Sequence, residues 1–538
     1  MQLNDAGLQN RIDWVKAGYA LPIFDRQYVM AQTKEAPTWI HFGAGNIFRA
    51  FQANILQDLL NKGTYNTGLI VAEGFDYEII EKMNRPHDDY SILVTLKANG
   101  CIEKTVIGSI TESLILDSTN DVEYSRLKEI FRAPSLQMVS FTITEKGYSL
   151  IDGQGQLLPS VSNDFEAGPK CPESYIGKVT SLILERYENG ALPIAMVSMD
   201  NCSHNGTKLY DAVHAFAAKW CEKGLASADF LSYIENSEQV SFPWTMIDKI
   251  TPRPDPKVQA LLEEDNISDL TQVITGKNTY VAPFVNAEEC QYLVIEDLFP
   301  NGRPPLNQAG VIFTDRETVN KIEKMKVCTC LNPLHTALAI FGCILGYELI
   351  SEEMKNPLLK KLVEVIGYQE GLPVVVNPGI IQPEDFLREV LEVRIPNPFM
   401  PDTPQRIATD TSQKLPIRFG ETIKAYMADP NRSVSDLHMI PLVFAGWLRY
   451  LMAVDDNGKD FTPSSDPLLA TLQPTMKQFS LGHTENAAEI LRPILERADI
   501  FGVNLYDCNM ADTVLTYFKE MTQAPGSVEA VLKKYVYL

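Results

Sequence analysis

The sequence predicts an α/β domain built on a mainly parallel sheet, followed by a mostly α-helical domain, and three observations lead there. Short apolar runs alternate with helical patterns in the first part of the chain. One such run drops into a glycine turn and a helix, and beyond about residue 298 the pattern becomes helical. At 538 residues the chain exceeds what one core commonly supports, so two domains are expected, 1–298 and 299–538.

The strand-like runs are GLIVAEG (68–74), MVSFTIT (138–144) and LPIAMVSMD (192–200), all short and rich in strand formers. FRAFQANILQDLLNKG (48–63) is helical, and alternation of this kind places helices on the faces of a parallel sheet. FPNGRPPLNQAG (299–310) reads as a turn-rich connector. After it LHTALAIFGCILGYELI, NPLLKKLVEVIGYQEG, MIPLVFAGWLRYLMAV and SVEAVLKKYVYL carry helical periodicity. Ligand sites favour domain junctions, so the site is expected between the two domains.

Composition is that of a globular protein, 45% hydrophobic and 22% charged, and the net charge of −22 argues against nucleic acid or an anionic membrane as partner. An anionic small substrate stays compatible, because a local cationic pocket can overrule the global field. No stretch reads as a transmembrane helix, and MQLNDAGLQNRIDWVK lacks a signal peptide's apolar core. Nine scattered cysteines without C-x-x-C suggest reduced thiols in a cytoplasmic protein. Cys328 and Cys330 with His335 lack the second ligand pair a metal would need, so no metal is expected.

The glycine turn lies in TWIHFGAGNIFRAFQA (38–53). In a Rossmann unit the first glycine permits the turn, the second admits the pyrophosphate, and the third allows close helix–strand packing. Gly43 and Gly45 supply the first two, while Phe48 stands where the third would be and should hold the helix farther from the sheet. Glu73 and Asp76, just past the next strand, are candidates for the ribose hydroxyls, and an acid there favours NAD over NADP. Asn46 and Arg49 in the turn complete the expected cofactor contacts.

Three further stretches gather polar groups. SMDNCSHNG (198–206) puts Asp200 and Asn201 at a strand's C-terminal end, where open α/β sheets bind ligands. FPWTMIDKITPRPDP (242–256) carries Asp248, and EKMKVCTCLNPLHTALAIFG (323–342) carries Glu323, Lys326, Asn332 and His335. Asn332 before Pro333 reads as an N-cap pushed out of the α region, with His335 in the first turn of the helix that follows.

Together these blocks resemble the polyol-specific long-chain dehydrogenases. Similar segments are HFGAGNIFRAFQA, SFTITEKGY (140–148), SMDNCSHNG, MIDKITP (246–252), VIEDLFPNGRP (294–304), MKVCTCLNPLHTALA (325–339) and RIATDTSQKLPIR (406–418), spanning nearly the whole chain. The resemblance implies a zinc-independent, NAD-dependent interconversion of a secondary alcohol and a carbonyl. It puts the catalytic lysine on Lys326, the carbonyl-polarising asparagines on Asn201 and Asn332, and the substrate histidine on His335. Family acids near the site fall on Asp248, Glu323 and Glu145, with Glu323 a proton relay and Glu145 and Asp200 on the cofactor side. Arg406 and Lys414 match cationic substrate contacts.

Two departures stand out. The family has four residues between the lysine and the asparagine, and here VCTCL supplies five. One added residue turns an ideal helix by roughly 100°, which a kink or bulge before Pro333 would have to absorb. Thr409 replaces a histidine of the mannitol dehydrogenases, which weakens the mannitol reading. Within the family the blocks favour reduction of a ketohexuronate, D-fructuronate to D-mannonate, with tagaturonate reduction and mannitol oxidation as alternatives. A reading from another class is an NAD-binding sensor that has lost its chemistry. The gathering of lysine, asparagines, histidine and carboxylates argues against it. The expected partner is a small sugar acid or polyol, and an oligomer is compatible.

Overall fold

The computed structural model describes residues 1–537. The chain divides into two compact units, Met1–Asn320 and Lys321–Leu538. The division falls beyond the connector at 299–310, because Ile312–Thr314 still pairs in parallel with Tyr292–Glu296 of the first unit.

The first unit is centred on six parallel strands: β1 (Trp39–Phe42), β2 (Leu69–Glu73), β3 (Ile110–Ile115), β4 (Met138–Phe141), β5 (Ile194–Ser198) and β6 (Val240–Ser241). Their order is β3-β2-β1-β4-β5-β6, so chain direction across the sheet reverses beside β1. This is the doubly wound Rossmann order, and ligands of such sheets sit at that switch point.

Alternation along the strands supplies two cores. Ile40, Phe42, Ile70, Ala72, Val139 and Phe141 face one side, with Leu127 and Phe131 of α2 (Asp121–Arg132), Val179 and Leu182 of α3 (Tyr175–Glu188), and Phe216 and Trp220 of α4 (Asn205–Glu222). Trp39, Leu69, Val71 and Met138 face the other, with Ile55, Leu56 and Leu59 of α1 (Ala53–Asn61). Both faces are covered, which is why β1, β2, β4 and β5 are wholly buried. A second, four-stranded sheet contributes Leu93, Ile107 and Val285 to this core, an element not anticipated from the chain's alternation.

The division between units falls within α5 (Arg316–Met325). This helix runs through a π-helical segment, Lys326–Cys330, into α6 (Asn332–Leu345). Contrary to the sequence reading, the continuous helix Arg316–Leu345 is, at 30 residues, long and apolar enough by length and composition to span a bilayer. Its apolar window is 78% buried inside the protein, so that surface forms core. In the second unit α6 packs on α7 (Pro404–Ile407) and on α9 (Met439–Leu451), whose thirteen residues are all buried. Between α7 and α9 lies α8 (Thr411–Leu415), which continues as a π-segment, Pro416–Gly420.

Candidate active site

Gly43 follows β1 with φ +108°, and a Cβ there would lie 2.3 Å from the Thr142 carbonyl oxygen, so only glycine fits. At Gly45 a Cβ would meet no atom within 4 Å. The turn is therefore forced at its first glycine and open at its second, as close approach of a dinucleotide's phosphates requires, and it stands at the sheet's switch point.

Phe48 and Arg49 lie beneath this turn. The Phe48 ring stacks on His41, centroids 4.5 Å apart and planes at 13°, filling the gap that a third glycine would have closed. His41 bonds Ser140 Oγ at 2.7 Å and Thr142 Oγ1 at 2.8 Å, and burial lowers its pKa to about 3, leaving it neutral. The helix begins here as a π-turn, Phe48–Gln52. The buried Arg49 guanidinium donates to the Ala282 carbonyl at 2.7 Å and to Asn46 Oδ1 at 2.9 Å, fixing Asn46 in the turn.

Glu73 ends β2 and accepts from the backbone N–H groups of Ala44 (2.8 Å), Phe75 (2.8 Å) and Asp76 (3.1 Å), tying that strand to the glycine turn. Burial raises its pKa against these three bonds. Asp76 is buried and accepts from the Thr275 hydroxyl at 2.6 Å. Both candidate ribose ligands thus have structural commitments of their own. Beyond them Phe75, Tyr77, Tyr175, Lys178 and Lys277 line a cavity of about 610 Å³.

At the ends of β4 and β5, Asp200 accepts from Ile143 N–H (3.0 Å), Thr144 N–H (2.8 Å) and the Tyr148 hydroxyl (2.5 Å). It anchors the loop that carries Asn201. Burial raises the Asp200 pKa and holds the Tyr148 phenol protonated. The Glu145 side chain is 62% exposed and paired with Lys208 at 2.7 Å. Asp248 ends the strand Thr245–Asp248, buried and opposite Tyr292 in the ladder.

In the second unit the extra residue after Lys326 has a place. Leu331 N–H bonds back to the Lys326 carbonyl at 3.1 Å, an i→i+5 closure. Such a turn takes one more residue than an α-turn, so it absorbs the insertion and offsets the rotation it would impose. Lys326 is buried at the head of this segment, and Glu323 lies three residues before it on α5.

The break in the helix falls on Leu331 (φ −129°, ψ −62°), one residue before the position expected. Asn332 is the first residue of α6 and makes no side-chain cap, a correction to its reading as N-cap. The cause is continuity: His335 N–H bonds the Leu331 carbonyl at 3.2 Å, so α6 prolongs the preceding helix rather than starting afresh. The Asn332 carbonyl accepts from the Thr336 hydroxyl at 2.9 Å.

Around His335 the charges are mostly positive. Burial lowers its pKa to about 4, opposed by Asp402 and reinforced by Arg394, Arg418 and Arg406. Arg406 pairs with Asp402. The Lys414 ammonium donates to the carbonyls of Ile407 (3.0 Å) and Thr409, and burial together with Arg418 lowers its pKa to about 8. The thiols of Cys328 and Cys330 are pushed up to about 11 and about 12 by burial. Among the described residues no group of three or more His, Cys, Asp or Glu could hold a metal ion.

Sequence reasoning missed Arg418, which donates to Thr336 Oγ1 at 2.5 Å and to the Asn332 carbonyl at 3.4 Å. The available signal was its position four residues after Lys414, one turn along the same helix.

The mannitol dehydrogenase Rossmann domain matches residues 37–308, and the mannitol dehydrogenase C-terminal domain matches 318–522. D-mannonate oxidoreductase of Thermotoga maritima is 51% identical over 538 residues, covering 100% of this chain and 99% of that protein. D-mannonate oxidoreductase of Escherichia coli is 29% identical, covering 87% of this chain and 89% of that one. Among solved structures, Pseudomonas fluorescens mannitol 2-dehydrogenase in ternary complex with NAD and D-mannitol superposes with a TM-score of 0.69. It is 26% identical over 99% of both chains. With both domains matched in order and a full-length relative at 51% identity, the chain belongs to the mannitol dehydrogenase family.

Proposed function

We propose that this protein is an NAD-dependent oxidoreductase interconverting a ketohexuronate and an aldonate, reducing D-fructuronate to D-mannonate with NADH. The observation that carries the choice of substrate is the 51% identity to a D-mannonate oxidoreductase over the whole chain. The physical counterpart is the cationic surround of His335, unusual in a chain of net charge −22 and suited to an acid rather than a neutral polyol.

The residues of the glycine turn fit a dinucleotide, with Gly43 and Gly45 admitting its phosphates, Asn46 beside them, and Phe48 and Arg49 supporting the turn from below. Glu73 keeps lone pairs for a ribose hydroxyl beyond its three backbone bonds, and Asp76, Asp200 and Glu145 complete the cofactor side. NADH supplies the hydride when bound.

As the carbonyl is reduced, its oxygen gains charge and needs a proton. In this reading protonated Lys326 delivers that proton from Nζ, and Glu323 relays its replacement from water. The amides of Asn201 and Asn332 donate N–H bonds to the developing alkoxide, as donors fixed in advance that reorganise little. Asn332 is available for this because its side chain is not spent on a helix cap. Neutral His335 orients a substrate hydroxyl, Arg406 and Lys414 hold the polar end, and Asp248 belongs to the same substrate set. The chemistry is zinc-independent in this proposal, with lysine as the acid in reduction and the base in oxidation. In this proposal the protein works in the cytoplasm, in keeping with scattered cysteines that form no C-x-x-C pattern.

The test is NADH consumption by the purified protein with D-fructuronate, D-tagaturonate and D-fructose, each repeated with NADPH. Rapid turnover of D-fructuronate with NADH is expected. Preference for tagaturonate or fructose would move the substrate, and binding of NADH without turnover of any of the three would favour a sensor.

A further inference from the structure

A ketohexuronate carries what a ketohexose lacks, a carboxylate at the end of the carbon chain remote from the reacting carbonyl. A site selective for the acid needs a cation whose donors are not already spent. The nearby cations differ on this point. Arg406 is paired with Asp402, and the Lys414 ammonium already serves two backbone carbonyls.

Arg418 is different. Its Nη1 donates to the Thr336 hydroxyl and the Asn332 carbonyl, which fixes the plane of the guanidinium against the first turn of α6. Among the described residues, no acceptor meets its Nη2 or Nε, and no carboxylate pairs with it. Its segment, Pro416–Gly420, packs on the π-segment Lys326–Cys330, so Arg418 shares the second unit's cluster with Lys326, Asn332 and His335. Burial lowers its pKa to about 10, which leaves it charged at neutral pH. A largely buried, unpaired guanidinium costs free energy that an incoming anion recovers. The two remaining donor nitrogens, Nε and Nη2, lie on a rigid plane and match a carboxylate's paired oxygens.

Resting on the ketohexuronate reading above, we infer that Arg418 anchors the substrate carboxylate and is the residue that selects a sugar acid over a neutral sugar. Lys414, one helical turn before it, adds charge to the same end of the substrate.

The experiment compares wild type, Arg418→Met and Arg418→Lys with D-fructuronate as substrate. D-fructose serves as an uncharged alternative substrate or competitive inhibitor, and NADH affinity is measured by fluorescence. Loss of a charge-assisted hydrogen bond predicts a KM for D-fructuronate raised about 10- to 150-fold in Arg418→Met. NADH affinity and the interaction with D-fructose should stay within about threefold, a margin well inside that effect. Arg418→Lys, a point charge without the fork, should recover part of the loss. A D-fructuronate KM unchanged in Arg418→Met, with wild type active on that acid, overturns the assignment and leaves the proposed function standing. A wild type that turns over D-fructose but no uronate overturns both. If Arg418→Met fails to fold, Arg418→Lys decides alone: a raised KM at unchanged NADH affinity supports the anchor, and an unchanged KM refutes it.

Discussion

Raising the pH from 7 to 9 should disarm one of the substrate-binding cations. Burial, reinforced by Arg418 and Arg406 and opposed by Asp410 and Asp466, brings the Lys414 pKa from 10.5 to about 8. A group with that pKa is roughly 90% charged at pH 7 and roughly 10% charged at pH 9. A carboxylate substrate is held better by the charged form, so the share of binding that Lys414 contributes is half gone at pH 8 and nearly lost by pH 9. The ratio kcat/KM reports the free enzyme, and for D-fructuronate it should fall by up to about tenfold between pH 7 and pH 9 on this account alone. Lys414→Arg puts a guanidinium in the same place, charged throughout that range, and should abolish this break. The assay is initial-rate NADH oxidation across pH 6 to 10 for both proteins. An uncharged ketose provides the control that should not feel Lys414. A wild-type profile flat to pH 9.5 would refute the argument. An identical break in Lys414→Arg would transfer the titration to another group, with Lys326 the first to examine.

Lys326→Ala should lower kcat by about 10²- to 10⁴-fold, the usual contribution of a positioned proton donor, while NADH affinity measured by fluorescence stays as in wild type. Gly43→Ala and Gly45→Ala should part company in thermal melts and NADH titrations. The first must strain a left-handed backbone position and press on Thr142, lowering stability by about 1–3 kcal/mol. The second projects into open space, so it should fold normally and lose cofactor affinity. Glu370, buried under α9, accepts from the N–H groups of His438, Met439 and Ile440, yet burial still raises its pKa to about 7. A carboxyl raised in the folded state favours folding below its unfolded pKa of about 4.5, and that contribution is lost as pH rises through 7. Urea unfolding of the second unit should therefore weaken from pH 5 to pH 8 by an amount on the order of 3 kcal/mol, and Glu370→Gln should flatten that dependence.

What the sequence determined by itself was what local sterics and periodicity control. Gly43 and Gly45 could be recognised because a tight strand-to-helix turn excludes side chains whatever surrounds it. The parallel sheet followed from apolar runs too short for helices and separated by helical stretches. The count of residues between Lys326 and Asn332 was equally visible, and so was the need for something to absorb the extra one. Tertiary structure decided where it went. The i→i+5 closure at Lys326 lets helices on both sides keep their faces in the core, and that balance depends on packing from distant segments. The same holds for Phe48, whose partner His41 lies across the helix–sheet gap, and for Glu73, which reaches back to Ala44 as well as caring for its own turn. Arg418 is 86 residues from Asn332 along the chain. Its spacing from Lys414 is the one local signal, and its significance comes from burial and from the donors of its own that its neighbours leave unused.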